Sequence, residues 1–345
     1  MKAYRFILAA LLLVLAACSQ APTPVATPEE TLDSQAVLPG ASGLVYYLAH
    51  NPNATKPYSV VRYDQATDTK TVLYKGNCEI QSVAGTLTGV GSAVFMSMRE
   101  PGNCSSDFDI FRITSLTTAE QISTNSTDDT NVSVTRGVPL CIGHSCFDRD
   151  YITAWETNVR CLNCIKRGIE LRIKEGSTVT YRLIKDWGDL TQPSISGNGK
   201  NVAFIRKSGS SQTVGFYTLN PDGSVNGLAQ IASNGSGLIK PSFSAPSVSD
   251  DGKKVVYLSR GMVAFPDVNY SIKLFNSGVT STIVSGVPFS HPNLTADGKW
   301  LTYAQQVSGT FRIKTRNLLT NLETDATAPA SPVSHYAPFW QKTNP

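Results

Sequence analysis

The chain has 345 residues, with 30 Lys and Arg against 26 Asp and Glu, for a formal net charge of +4. Only 16% of the residues are charged and no run of Lys or Arg stands out, which excludes a nucleic-acid surface and a polybasic membrane patch. Gly, Ser, Thr, Asn and Val are abundant, the composition of many short strands joined by tight turns.

At the N-terminus, Lys2 and Arg5 precede an apolar run from Phe6 to Ala17. These are the charged and hydrophobic regions of an export signal, too short for a stable membrane span. The run ends in Leu15-Ala16-Ala17-Cys18, which resembles the bacterial lipobox. The resemblance implies a signal peptide over residues 1–17 and lipidation of Cys18. It places the protein in the cell envelope, extracytoplasmic and held to a membrane by its lipid, on the periplasmic or surface side. Residues 18–42 are rich in Pro, Ala, Thr and Ser without apolar periodicity, and read as a flexible, lipid-anchored linker.

The folded body is expected over residues 43–345. Residues 43–75 carry three alternating strands with no strand preceding them. Weak two-strand copies follow: Gln81-Ser82-Val83 with Ser92 to Met96, then Asn131 to Val134 with Asp150 to Trp155. Three stronger copies align without gaps: Gln192-Pro193-Ser194-Ile195-Ser196-Gly197-Asn198-Gly199-Lys200, Ala245-Pro246-Ser247-Val248-Ser249-Asp250-Asp251-Gly252-Lys253 and His291-Pro292-Asn293-Leu294-Thr295-Ala296-Asp297-Gly298-Lys299. Each runs into a second apolar-alternating strand, and its Asn-Gly or Asp-Gly supplies the turn between the two. Third strands are expected at Phe108–Ile113, Ile169–Ile173, Val214–Leu219, Tyr270–Phe275 and Phe311–Arg316. The chain closes with a lone first strand, His335-Tyr336-Ala337-Pro338-Phe339-Trp340.

A spacing of 53 and then 46 residues between the strong copies suits a four-stranded propeller blade. First strands near 81, 132, 193, 246, 292 and 338 count six blades. The C-terminal strand would join the three N-terminal strands, closing an all-β ring without loose edges. The Pro-x-x-Ser/Thr-x-Asp/Asn-Gly-Lys repeat resembles that of the TolB-type β-propellers over about residues 43 to 345.

Six cysteines remain beside Cys18, an even number in an exported protein. A four-thiolate zinc site built from Cys141, Cys146, Cys161 and Cys164 conflicts with the topology. The strand from Asp150 to Glu156 would hold the two pairs roughly 20 Å apart, whereas zinc ligands lie about 2.3 Å from one metal. The expected disulfides are Cys141 with Cys146, Cys161 with Cys164, and Cys78 with Cys104.

No nucleophile elbow, metalloprotease helix or phosphate loop is present. Gly85 to Gly91 lacks the strand–turn–helix context of a nucleotide site, and Asp128-Asp129 lacks calcium-loop spacing. No metal or cofactor is expected. First strands line a propeller's channel, so the residues just before the proline-equivalent position are candidates for its mouth: Gln81, Asn131, Gln192, Ala245, His291 and Ala337, with His335 two positions upstream. Phe204, Tyr257 and Trp300 are expected at equivalent positions in the core between blades. This pattern points to a non-enzymatic envelope lipoprotein binding a protein, peptide or glycan through its loops and channel mouth. The alternative is a channel-centred, metal-dependent, lyase-like enzyme acting on glycans. The resemblance to TolB-like oligogalacturonide lyases, whose channel histidines help to bind metal, gives His291 and His335 as that enzyme's ligands.

Overall fold

The computed structural model describes residues 43–341 apart from 89–90, 124–126, 137–139, 143–144, 148–149, 162–163, 236–239, 265–266 and 328–332. Residues 1–42, with the expected signal peptide, Cys18 and the expected linker, lie outside them.

Six four-stranded antiparallel sheets form the blades. Blade 1 pairs Ser334–Trp340 with Leu44–His50, then Tyr58–Asp64 and Thr69–Gly76. The C-terminal strand is therefore the innermost strand of the N-terminal blade, as its sequence implied. Blade 2 holds Ile80–Thr88, Gly91–Arg99, Phe108–Ile113 and Ala119–Gln121; blade 3 holds Thr130–Thr135, Tyr151–Cys161, Cys164–Glu175 and Thr178–Ile184. Blades 4 and 5 begin with Asp189–Ile195 and Ser242–Val248, and blade 6 with Phe289–Leu294. A separate two-stranded ribbon, Leu140–Ile142 with Ser145–Phe147, sits between the first two strands of blade 3.

Period-two alternation explains the packing, because each second strand sends successive side chains to opposite neighbours. Val202 and Phe204 pack against blade 3 with Ile152, Leu171 and Ile173, while Ala203 and Ile205 pack against blade 5 with Val248, Val255 and Tyr257. Tyr303 takes the same register place as Phe204 and Tyr257, joining Val256 and Leu294 between blades 5 and 6. The expectation had put Trp300 there. Trp300 instead starts its strand, and its ring stacks on Trp340 at 6.5 Å where blades 6 and 1 meet. Gly85 is needed for close approach: a Cβ there would lie 2.4 Å from the Tyr46 ring of blade 1.

The three strong repeats end in identical turns. Gly199, Gly252 and Gly298 have φ of 71°, 68° and 63°, and each N–H donates to the carbonyl three residues earlier. The hydroxyls of Ser196, Ser249 and Thr295 donate to Asn198, Asp251 and Asp297 and accept from the first N–H of the next strand. These turns also tie blades together: Asp250 Oδ1 accepts from Asn198 N at 2.8 Å, and Lys254 Nζ donates to Gly298 O at 2.8 Å.

A second inter-blade device lies in the innermost strands. Ser133 accepts from Ile195 N–H of the next blade at 3.1 Å, Ser247 from Leu294 N–H at 3.1 Å, and Asn293 from Trp340 N–H at 3.1 Å. Between blades 2 and 3, Ser82 accepts from Val132 N–H at 3.0 Å. Ser247→Ala leaves the Leu294 amide buried without its acceptor and should cost about 1–3 kcal/mol. The check is a lower denaturant midpoint at unchanged slope. Gly85→Ala, which forces the Tyr46 ring aside, should destabilise by about 1–3 kcal/mol in the same assay.

Candidate functional site: the channel mouth

The first strands each break register once, at the residues singled out from the repeat. The breaks fall between Ala154 and Glu156 opposite Asn131, between Thr191 and Ser194, between Ser244 and Ser247, between Ser290 and Asn293, and between Tyr46 and Leu48 opposite Ala337. In these five blades the bulge residue is left-handed: Asn131 (φ 56°), Gln192 (55°), Ala245 (47°), His291 (48°) and Ala337 (50°). None is glycine, so each carries backbone strain that the surrounding ring must hold in place.

These bulges surround a cavity of about 150 Å³. Asn131, Gln192, Ala245, His291 and Ala337 line it, together with Pro193, Pro246, Pro292 and Pro338. Gln192, Ala245 and Ala337 lie at the middle of their first strands and Asn131 and His291 in the first half of theirs; the end where first strands begin also carries the loops between second and third strands.

Two expected mouth residues lie elsewhere. Gln81 has no left-handed φ among the described backbone angles; blade 2 drops a single residue between Ile80 and Ser82, so Ser82 and Val83 line the cavity while Gln81 is exposed. His335 is buried opposite Ala49, its ring 4.8 Å from that of Tyr47, and is not among the cavity-lining residues. The bulge at Ala337 breaks the alternation that would have put residues 335 and 337 on one side.

The mouth is unequally furnished. On the side of blades 3 and 4, the buried Glu156 carboxylate accepts from Asn131 Nδ2 at 2.9 Å and from Gln192 N at 2.9 Å, and forms an ion pair with Arg167. Gln192 Oε1 in turn accepts from Ala245 N at 2.7 Å. Burial works against the Arg167 charge, but the Glu156 carboxylate outweighs it and holds the guanidinium above its usual pKa. Arg167 stands at the root of a two-stranded arm, Thr157–Cys161 paired with Cys164–Gly168, which runs on past the register pairs Glu156–Thr130 and Ile169–Ile184. Nearby, Trp187 is 61% exposed; the Arg206 guanidinium lies 4.8 Å from its ring centre, and Lys166 Nζ donates to its carbonyl at 2.6 Å.

The other side is open. His291 stands between Ala245 and Ala337, whose methyl groups offer no polar partner. Its Nδ1 is shut off from solvent and has no hydrogen-bond partner among the described residues. Burial pushes its pKa down to about 4, so the imidazole is neutral at ordinary pH. The arrangement presents a neutral ring in a small, proline-walled recess.

Sequence reasoning missed Glu156, Arg167 and Trp187. The available signal was Glu156 itself, a lone carboxylate at the end of the apolar run Tyr151 to Trp155.

The cysteines group by face. Cys78 and Cys104 form a disulfide, with Cα atoms 4.8 Å apart, on the mouth side of blade 2. The backbone sets Cys161 directly opposite Cys164 at the tip of the arm, and Cys141 opposite Cys146 in the ribbon on the far side. The side chains of these four lie outside the described residues.

No family model matches the sequence, and no curated protein matches it either. Among solved structures, TolB from Acinetobacter baumannii is similar, with a TM-score of 0.62 at 16% identity over 87% of this chain and 67% of that one. A putative TolB from Agrobacterium tumefaciens gives 0.52 at 11% identity over 87% and 99% of the respective chains. The chain has a TolB-like propeller fold. A chain in the structure of a nidogen/laminin complex is also similar, with a TM-score of 0.53 at 13% identity over 88% of this chain and 100% of that one. At these identities the likeness describes architecture.

Two buried groups titrate in opposition. Burial raises Asp109 to about 6, helped by Asp129 and Asp107 and opposed by bonds from Ser123 and Gln121. A raised carboxyl contributes stability below its unfolded pKa and loses it as pH climbs toward 6. His291, depressed to about 4, does the reverse, losing stability as pH falls from about 6.5 toward 4. Relative to the unsubstituted protein, Asp109→Asn should make the slope of stability against pH more positive between about 4 and 6, and His291→Gln should make it more negative between about 4 and 6.5. Denaturation midpoints at stepped pH check both directions.

Proposed function

We propose that the protein is a lipid-anchored, extracytoplasmic binding protein of the bacterial cell envelope, without catalytic activity of its own, that holds another envelope component at the channel mouth. One observation carries this reading: the open sector formed by Ala245, His291 and Ala337, where a neutral imidazole lines a recess otherwise walled by proline and small side chains.

The size of the recess selects the kind of ligand. Sites for whole small molecules run from about 300 to 1,000 Å³, whereas this cavity is about 150 Å³. It suits one protruding residue of a larger partner, either a peptide segment or the end of a glycan. The remaining contact would come from the mouth-side loops, with Trp187 and the 157–168 arm as the natural anchors. The metal-dependent, glycan-active alternative required His291 and His335 at one ion, and His335 packs against Tyr47 away from the cavity.

A photo-crosslinking residue at Gln81 or Val287, both exposed on the mouth side, should give a discrete adduct in intact cells. That adduct should be lost when His291→Trp fills the recess. Adducts that persist undiminished in His291→Trp, or that arise only from positions on the opposite face such as Lys253, would contradict the proposal.

The same reading assigns Cys141–Cys146 and Cys161–Cys164 as disulfides, each closing its own hairpin; their facing registers support it. Peptide mapping without reduction should recover both local pairs beside Cys78–Cys104. Recovery of free thiols or crossed pairs would overturn the assignment.

A further inference from the structure

The fourth strand of each blade is an outer edge, with one side of its backbone unpaired within its own sheet. Five of the six edges are blunted. Ala119–Gln121 and Glu323–Asp325 have three residues each and carry carboxylates at Glu120, Glu323 and Asp325. Thr69–Gly76 carries Lys70, Lys75 and one bulge, and Lys75 N donates to Leu116 O of the next blade at 2.8 Å. Val225–Ser233 is broken by two bulges, and Val279–Gly286 by one that follows its first four residues. Bulges twist an edge out of line for further pairing.

Blade 3 is the exception. Thr178–Ile184 pairs with Ile169–Glu175 through seven consecutive register partners and no bulge. Its one charged residue, Arg182, is drawn to the turn of blade 4: Nε donates to Asp222 O at 3.1 Å, and Nη2 lies 3.7 Å from Asp222 Oδ2. Among the described residues, none of the backbone bonds between blades involves Thr178–Ile184. Val179, Tyr181 and Leu183 share one face of the strand, and Tyr181 and Leu183 are 48% and 44% exposed. Tyr181 OH accepts from Arg172 Nε at 3.3 Å, which steadies the ring on the sheet.

We propose that two copies of the protein associate through this edge, Thr178–Ile184 pairing antiparallel with itself across a two-fold axis so that two blades join into one sheet. The order of residues in the strand argues for a second copy as the occupant. A two-fold axis perpendicular to the sheet keeps each face on its own side, so residues of one face meet residues of the same face. Centred on Tyr181, the register sets Tyr181 against its counterpart, Val179 against Leu183 of the partner subunit, and Thr180 against Arg182 of the partner subunit. Apolar side chains meet on one face, and on the other the cation meets a hydroxyl. Centring on Arg182 would oppose two guanidinium groups, and centring on Thr180 would shorten the pairing to Thr178–Arg182. One strand pair is a small interface, below the roughly 1,200 Å² of stable complexes. The dimer is therefore reversible and forms as concentration rises.

The test is sedimentation equilibrium on the full chain purified in detergent, from low micromolar to near-millimolar concentration. The unsubstituted chain should pass from monomer to dimer across that range. Tyr181→Lys, which opposes two ammonium groups on the axis, should weaken association about tenfold or more. Mixing it with Tyr181→Glu should restore the dimer, an outcome that a merely structural defect would not give. In oxidising conditions Tyr181→Cys should yield a disulfide-linked dimer, because directly opposed residues lie about 4.5–5.5 Å apart. Thr178→Cys should not, since its two copies would lie roughly 20 Å apart along the strands. A chain that stays monomeric at the highest concentration, a dimer indifferent to Tyr181→Lys, or equal crosslinking from Thr178→Cys overturns the self-pairing. So does a Tyr181→Cys chain that crosslinks in the producing cell to a different protein and not to itself.

Discussion

A ring of radiating sheets leaves the inner edge of every first strand without a neighbouring strand, and the protein must satisfy those edges without water-filled gaps. Here the solution is side chain to backbone. Ser133, Ser247 and Asn293 each reach across to an amide of the next blade, two residues after the left-handed bulge in their own strand. With the Ser82 contact they tie blade 2 to 3, 3 to 4, 5 to 6 and 6 to 1, and the apolar layers from Phe204, Tyr257 and Tyr303 fill the wedges from blade 3 round to blade 6.

The bulges follow from the same constraint. A strand that must pair outward with its blade and also present acceptors inward gains from one residue taken out of register. The left-handed residue, followed by proline in four of the five bulges, accomplishes that. Once formed, the bulges aim their side chains and amides into the channel. Where a polar side chain can bridge to the next blade, as Gln192 does to Ala245, the rim is closed. Where alanine follows, as around His291, it stays open. The recess is thus a by-product of ring closure, and its chemistry is set by which residue occupies each bulge.

Much of this was legible in the sequence. The Pro-x-x-Ser/Thr-x-Asp/Asn-Gly-Lys copies declared the first two strands and the turn, and the unpaired ends declared that the last strand would complete the first blade. The blade-2 disulfide followed from strand order. What escaped was whatever depended on backbone conformation rather than pattern. Nothing about Gln192, Ala245 or His291 announces a positive φ, because these residues rarely adopt one. Counting by twos therefore misplaced His335, beyond the bulge at Ala337, and Gln81, in the blade whose break is only one residue long. Glu156 and Arg167 meet only because the arm folds back, across a separation that no local spacing reveals.

The central claim is that the inner strands are closed by side-chain acceptors from neighbouring blades. Residue-resolved amide exchange under native conditions tests it most directly. The account predicts that the amides of Ile195, Leu294 and Trp340 exchange only on global unfolding, as slowly as the core of the second strands. If they exchange on the timescale of the exposed turns, the inner edges are open to water and this account of how the ring holds together is wrong.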